Sequence, residues 1–299
     1  MGVKQMSGLC WINGNITATQ DARIPVLDHG LLYGDGIFEG MRFYGLQTFR
    51  IDRHLKRMRD SAQAIQLSIT YDDAQIQDAI YQLLRKHQNA SAEKMGQTGY
   101  IRLIATRGVG PLGLNPAQCK NPTLIIIADQ LELASSAQRA NGFSLCISSI
   151  RRPQGSGLDA RVKSLNYLHS VLARIEANHN QTDEALLLNQ HGQIAECSAE
   201  NVFIVRDNNL ITPPTTDGAL AGITRELVLE MGQKLGLNCK EQTLYPYDLY
   251  SADECILTGS GAKLIPVRDI AGRRLKYSPG PVYKALHEEM ENMIRLQYR

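Results

Sequence analysis

The apolar positions of this chain alternate between two spacings. Strand-like runs cover Leu9 to Thr17 and Gly36 to Ile51, and from Asp52 the spacing changes. His54, Leu55 and Met58, followed by Ala62, Ile65 and Leu67, recur with helical period, and Asp52 stands as the expected N-cap. A second helix is expected from Tyr71 to His87, entered through Asp72 and Asp73, and the runs TGYIRLIATRG and NPTLIIIAD follow as strands. Strand character stops across QLELASSAQRANG and resumes at Phe143. Residues 130–142 therefore read as an interdomain linker between an N-terminal α/β domain, 1–129, and a C-terminal domain, 143–299.

The second half opens with the strand FSLCISSI and a helix over SLNYLHSVLARIEANHN. Two hairpin-like pairs come next, one turning at Gln190-His191-Gly192 between EALLL and QIAE, the other at Asp207-Asn208-Asn209 between NVFIV and LIT. A helix from Thr224 to Leu235, strands around Cys255–Leu257 and Leu264–Val267, and a last helix from Val282 to Leu296 complete a mixed α and β chain without internal repeats.

Composition narrows the function classes. With 299 residues, 43% of them hydrophobic, the chain can bury a sizeable core and supports two domains. A net charge of +2 without a long run of one sign argues against a nucleic-acid or polybasic membrane surface. The six cysteines are scattered and form no C-x-x-C pair, so neither a metal site nor a disulfide framework is expected. No apolar run approaches the roughly 18–20 residues of a membrane span, and MGVKQMSGLCWINGN lacks the apolar core of a signal peptide. The expectation is a soluble, cytoplasmic globular protein without partners among membranes or nucleic acids.

One motif points elsewhere and fails on inspection. Gly108-Val109-Gly110-Pro111-Leu112-Gly113 spells G-x-G-x-x-G after a strand, and Asp129 follows at the distance of a ribose-binding acid. A dinucleotide fold needs a helix after the third glycine. Pro116 and Pro122 break the short span that would have to supply it, so NAD is not expected.

Other segments carry chemistry only in combination. Lys163 lies just ahead of a helix between Val162 and Leu165, with Arg161 near enough to help lower its pKa; it is either a Schiff-base nucleophile or one more solvated lysine. Glu196, near the end of a strand, needs a cation or donor if it is buried, which a salt bridge or a protonated ring nitrogen would provide. Leu220-Ala221-Gly222-Ile223-Thr224-Arg225 starts a helix and is either an anion site or an ordinary cap. Arg53, Lys56 and Arg57 crowd one helix, and the residues alone do not choose between them.

Taken in order, LDHGLLYGDGIFEGMR, HLKR, YIR, TRGVGPLGLNP, KSLNYL, IAECSAENVF, LAGITR, LTGSGA, IPV and GPVYK resemble a fold-type IV (class IV) aminotransferase dependent on pyridoxal phosphate. The closest likeness is to a branched-chain amino acid aminotransferase. The resemblance implies a mixed α/β fold of two domains with the cofactor in the cleft between them and a barrel-like sheet in the second. Lys163 would bear pyridoxal 5′-phosphate and shuttle the proton between the substrate Cα and cofactor C4′. Glu196 would bind the pyridine nitrogen, Tyr167 the 3′ oxygen, and Arg57 the phosphate, with Ile223, Thr224 and Ser260 on its remaining oxygens and Leu220 against the ring. Tyr167 would share a helical side with Lys163, four residues before it.

On the substrate side the resemblance implies apolar walls from Tyr33, Phe38 and Tyr167, with Gly40 and Arg42 following. Tyr100 would meet the α-carboxylate, Arg102 the side-chain acid of glutamate, and the amides of Gly261 and Ala262 would face the α-carboxylate. Leu112, Gly113 and Leu114 would reach into a neighbouring subunit of a homodimer or homohexamer. The implied reaction exchanges amino groups between leucine, isoleucine or valine and 2-oxoglutarate. The alternatives of the same fold are D-amino acid or (R)-amine transaminases and aminodeoxychorismate lyases; the D-specific type carries an Arg-x-His trap where this chain reads GPLGLNP.

Overall fold

In the computed structural model, which describes residues 8–90, 98–153 and 159–298, the alternation in TGYIRLIAT becomes a strand with Ile101, Leu103 and Ala105 buried. The chain divides into two compact units. One holds Met1–Leu131, Val162–Asn166 and Tyr298–Arg299; the other holds Glu132–Arg161 and Tyr167–Gln297. Residues 1–7, part of the stretch inspected for a leader, lie outside the described residues. No helix among the described residues is long and apolar enough to cross a membrane.

The first unit comprises β1 (Leu9–Ile12), β2 (Asn15–Ala18), α1 (His29–Tyr33), β3 (Gly36–Tyr44), β4 (Gln47–Thr48), α2 (Ile51–Ala64), α3 (Asp73–Ala90), β5 (Thr98–Thr106) and β6 (Thr123–Asp129). Its six strands form one sheet in the order β2-β1-β6-β5-β3-β4, antiparallel at every pairing. One face gives Ile37, Met41, Phe43, Ile101, Leu103 and Ile126 to a core shared with Leu55 and Met58 of α2 and Ile76, Ile80, Leu83 and Leu84 of α3. That is the helical stripe the sequence announces.

The antiparallel pairing of β5 with β6 disposes of the dinucleotide motif. Thr106 sits opposite Thr123, so residues 107–122 close a hairpin and contain only a short 3-10 turn, Pro116–Gln118. A dinucleotide unit needs parallel strands joined by a helical crossover. Gly108 has another purpose: its φ of 85° and the close approach of the Asn121 carbonyl exclude a side chain there.

The second unit comprises α4 (Ser136–Asn141), β7 (Phe143–Arg151), α5 (Leu168–His179), β8 (Glu184–Leu188), β9 (Ile194–Cys197), β10 (Asn201–Arg206), β11 (Asn209–Thr212), α6 (Ile223–Lys234), β12 (Asn238–Glu241), α7 (Pro246–Tyr250), β13 (Glu254–Gly259), β14 (Lys263–Ile270), β15 (Arg273–Arg274) and α8 (Pro281–Tyr298). Its mixed sheet runs β12-β11-β10-β13-β14-β7-β8-β9, with β15 beside β14. The β11–β12, β14–β7 and β7–β8 pairs are parallel. Both expected hairpins form, β8 with β9 and β10 with β11; Asp207 and Asn208 turn the second with φ of 48° and 61°. Ala173 and Ala177 of α5 pack closely on Ala185 and Leu187 of β8.

Two local expectations are corrected. Asp52 is not the cap of α2: the chain leaves β4 through Arg50, left-handed at φ 51°, and Asp52 lies within the first turn, where its charge still suits the helix dipole. Within the linker stretch 130–142, Ser135 and Gln138 form a capping box and start α4. The helix after Lys163 begins only at Leu168. Ser164 Oγ takes the Asn166 amide at 3.3 Å, and the Asn166 side chain donates to the Gly34 carbonyl at 3.1 Å, local bonds that compete with helix formation. Lys163 and Tyr167 therefore do not share a helical face.

Candidate active site

In the first unit the site residues follow from sheet register. Gly40 pairs with Arg102, Arg42 with Tyr100 and Phe38 with Ile104, so Phe38, Gly40, Arg42, Tyr100 and Arg102 share the face turned away from the core. Any Cβ on Gly40 would collide with the Tyr100 hydroxyl, so glycine makes the room in which that hydroxyl sits. The Arg102 guanidinium lies 4.3 Å from the Phe38 ring centroid and 5.7 Å from that of Tyr100. Arg42 donates to the Leu131 carbonyl at 3.4 Å.

Lys163 reaches the same ring from the strand edge. The Phe38 amide donates to the Lys163 carbonyl and the Leu165 amide to the Gly36 carbonyl, both at 2.9 Å, while the Lys163 amide donates to Ser61 Oγ at 3.3 Å. This backbone frame sets Lys163 Nζ 4.4 Å from the Phe38 centroid. One aromatic ring thus carries two cations. Arg161 is engaged elsewhere, in an exposed pair with Asp159.

Tyr33 ends α1, whose first turn is capped by Asp28; the other Asp28 oxygen takes the hydroxyls of Thr106 and Thr123 at 2.8 and 3.1 Å. The Tyr33 hydroxyl in turn accepts the Gly113 amide at 2.9 Å. Leu112 and Leu114 flank that glycine and are 75% and 79% exposed.

Arg57 stands on the core side of β3, held by a carboxylate the sequence reading passed over. Glu39 is fully buried and takes Arg57 Nε and Nη2 at 2.7 Å each, with His54 Nδ1 also at 2.7 Å. Burial pushes the Glu39 carboxyl up, but the charge and hydrogen bonds of Arg57, with His54, outweigh it and hold it at about 2. Burial lowers His54 against the opposing pull of Glu39, so the imidazole serves as a neutral donor.

In the second unit Glu196 is equally built in. Its Oε1 takes Arg152 Nη2 at 2.8 Å; its Oε2 takes the Leu220 amide at 2.9 Å and Asn201 Nδ2 at 3.2 Å. A carboxylate offers about four acceptor positions, so Oε1 keeps capacity for a second donor. Asn201 Nδ2 also donates to the Leu220 carbonyl at 2.9 Å, and its Oδ1 leaves no space for a side chain at Gly222. Gly222 is the N-cap of α6 and provides no capping side chain for the first-turn amides beside the buried Ile223 and Thr224. Carboxylate and helix start thereby belong to one network.

Ser260, Gly261 and Ala262 form the turn from β13 to β14, fastened by Arg139 Nη1 on the carbonyls of Ala262 and Leu264 at 3.1 and 2.9 Å. Glu200, buried below Gly259, is raised to about 8 by burial and then by Glu184. Tyr167 immediately precedes α5, its ring 6.0 Å from that of His169. His169 contacts Arg152 Nη1, which connects Tyr167 indirectly to Glu196.

The structure brings Phe38, Gly40, Tyr100, Arg102 and Lys163 together in one unit, and Glu196, Leu220 and the start of α6 in the other. The residues missed from sequence are Glu39, His54, Arg152, His169 and Asn201. Glu39 left a signal, being a carboxylate on the apolar face of IFEGMRF. Arg152 left none, since its partner is distant in the chain.

Residues 36–270 match the family described as Amino-transferase class IV, and the chain belongs to that family, with the fold of the fold-type IV enzymes. Among its relatives, a putative branched-chain-amino-acid aminotransferase of Methanocaldococcus jannaschii is 38% identical over 284 residues, 95% of each chain. The crystal structure of the Escherichia coli branched-chain amino acid aminotransferase matches with a TM-score of 0.89 at 30% identity, covering 96% of this chain and 94% of that one. A branched-chain amino acid aminotransferase of Thermobaculum terrenum, solved in its PLP form, matches with a TM-score of 0.84 at 28% identity, covering 97% and 95%.

Proposed function

We propose that this class IV aminotransferase exchanges an amino group between leucine, isoleucine or valine and 2-oxoglutarate, forming branched-chain 2-oxo acids and L-glutamate, with pyridoxal 5′-phosphate as cofactor. The observation that carries the reading is the network joining the Glu196 carboxylate to the uncapped first turn of α6 through Asn201 and Leu220. An acceptor at one end and a phosphate-binding helix start at the other suit a ligand with a basic ring nitrogen and a phosphate arm. The Thermobaculum terrenum relative, solved in its PLP form, supports this choice.

The residues then divide the work. Glu196 accepts from the ring nitrogen through the capacity left on Oε1, and Tyr167 hydrogen-bonds the 3′ oxygen. Arg57, the amides of Ile223 and Thr224, and the hydroxyls of Thr224 and Ser260 hold the phosphate, and Leu220 packs on the ring. The bound cofactor supplies an electron sink next to the substrate Cα. Lys163 would provide the amine that holds the cofactor and would move the proton at the substrate Cα.

Tyr33, Phe38 and Tyr167 form an apolar wall, with Gly40 and Arg42 beside it, and Leu112 and Leu114 complete the wall in a second copy of a homodimer or homohexamer. Tyr100 and the amides of Gly261 and Ala262 receive the α-carboxylate. Arg102 rests on Phe38 for an apolar side chain and leaves it for the second carboxylate of glutamate. A permanently aimed charge would reject leucine.

Reconstitution with pyridoxal phosphate followed by assays with L-leucine, L-valine, D-alanine and an (R)-amine tests the reading. A yellow protein active on the L-substrates is expected, with borohydride fixing the cofactor to Lys163 in the wild type and to nothing in Lys163→Ala. Activity confined to D-alanine or the amine contradicts the branched-chain assignment, and a colourless inert protein contradicts the whole proposal.

A further inference from the structure

Glu196 is only as useful as the direction of its free acceptor position. The terminal torsion of a glutamate is soft and roughly two-fold, so a carboxylate held at one oxygen still swings. Here Oε2 is held by the Leu220 amide and Asn201, and Arg152 Nη2 at 2.8 Å fixes the other oxygen. Arg152 is itself fixed on its other sides: Nε donates to the Gly218 carbonyl at 3.1 Å, and Nη1 meets His169 Nε2. Its backbone amide donates to the Leu188 carbonyl at the end of β8 at 2.8 Å. Both side chains of the ion pair are more than nine-tenths buried.

Three separate stretches, in α5, in β9 and ahead of α6, converge on this guanidinium. Gly218 has a φ of 103° and faces the Arg152 stem, a conformation that favours glycine. Arg174, also on α5, is committed to the Asp183 carbonyl and to Glu184. Burial and then the Arg152 charge lower His169 to about 4, so at neutral pH its ring accepts from Arg152.

We propose that Arg152 is a positioning residue for the reaction, locking the rotation of the Glu196 carboxylate while Gly218 and His169 lock Arg152. The proposal rests on the reading of Glu196 as the partner of the cofactor ring nitrogen. It predicts a functional chain, His169 to Arg152 to Glu196, in which the first two residues act only through the third.

A double-mutant cycle in the reconstituted enzyme tests it. The variants are Glu196→Gln, Arg152→Gln, Arg152→Lys and the double Arg152→Gln/Glu196→Gln. Their readouts are kcat and KM for leucine, the pyridoxal phosphate dissociation constant from absorbance titration, and Tm. Arg152→Gln is expected to lower kcat about 10- to 100-fold, the range seen when an outer partner of a ligand is removed, with KM changed less. Arg152→Lys should recover part of the loss, and the double variant should be no worse than Glu196→Gln. Fully additive losses, or a fall in Tm with kcat and cofactor affinity intact, overturn the relay. A Glu196→Gln variant that keeps wild-type kcat, cofactor affinity and absorbance overturns the underlying reading of Glu196, and the relay with it.

Discussion

Two buried clusters in this protein use the same three residue types in opposite order. In the first unit Glu39 binds Arg57 through two guanidinium nitrogens, and His54 packs on the carboxylate. In the second, Arg152 binds one oxygen of Glu196, and His169 packs on the arginine. The position of the histidine decides what each cluster presents. Where it caps the carboxylate, the carboxylate is shut off from solvent and an arginine is held in place. Where it caps the arginine, a carboxylate oxygen retains capacity, and an anion is held in place. Under the proposed function, a cation for a phosphate and an anion for a ring nitrogen would come from one set of parts.

The comparison predicts unequal consequences. Glu39→Ala should destabilise most, by about 3–5 kcal/mol in denaturant unfolding, because it strands a largely buried guanidinium. A loss below about 1 kcal/mol would show that this buried cluster is not structural. The pH dependence has a defined sign. The Glu39 carboxyl is held at about 2 rather than 4.5, so its contribution is complete above pH 4.5 and disappears as pH falls through 2. That shift corresponds to roughly 3 kcal/mol, and Glu39→Gln should flatten the stability–pH curve in this window only.

Smaller effects separate the clusters further. His54→Leu removes one donor from a carboxylate that keeps Arg57, and should cost about 1–3 kcal/mol in the same unfolding assay. Glu196→Gln should cost the least stability, about 1 kcal/mol, because an amide oxygen can still accept from Arg152 or Leu220, while activity falls far more. If stability and activity fell in proportion, the distinction between a holding cluster and a presenting one would collapse.

The sequence made the strands, the two hairpins and the stripe of α2 legible because each depends on neighbours within a few residues. It also exposed the proline-broken glycine motif as a loop. Asp52 failed as a cap because a left-handed Arg50 set the start of α2 instead, and Tyr167 lost its helical relation to Lys163 because Ser164 and Asn166 bond locally. Residue types alone could not choose Arg57 from Arg53 and Lys56; in the structure Glu39, 18 positions away, holds Arg57. Arg152 was out of reach for the same reason at longer range. In IRRPQG it reads as one more loop charge, and only the return of β9 reveals its partner.

The five residues Val162–Asn166 return to the first unit after Glu132–Arg161 of the second. They cover the edge of β3 by the hydrogen bonds at Gly36 and Phe38. A gene fragment ending at Leu131 would therefore yield a sheet with one bare margin, open to pairing with another copy. Lys163 sits on the strip that closes this margin, so the amine proposed to react and the seam of the first unit are inherited together. No single cut in the gene separates the two units cleanly, and an exchange of halves between relatives would have to carry this strip with the first half to keep both.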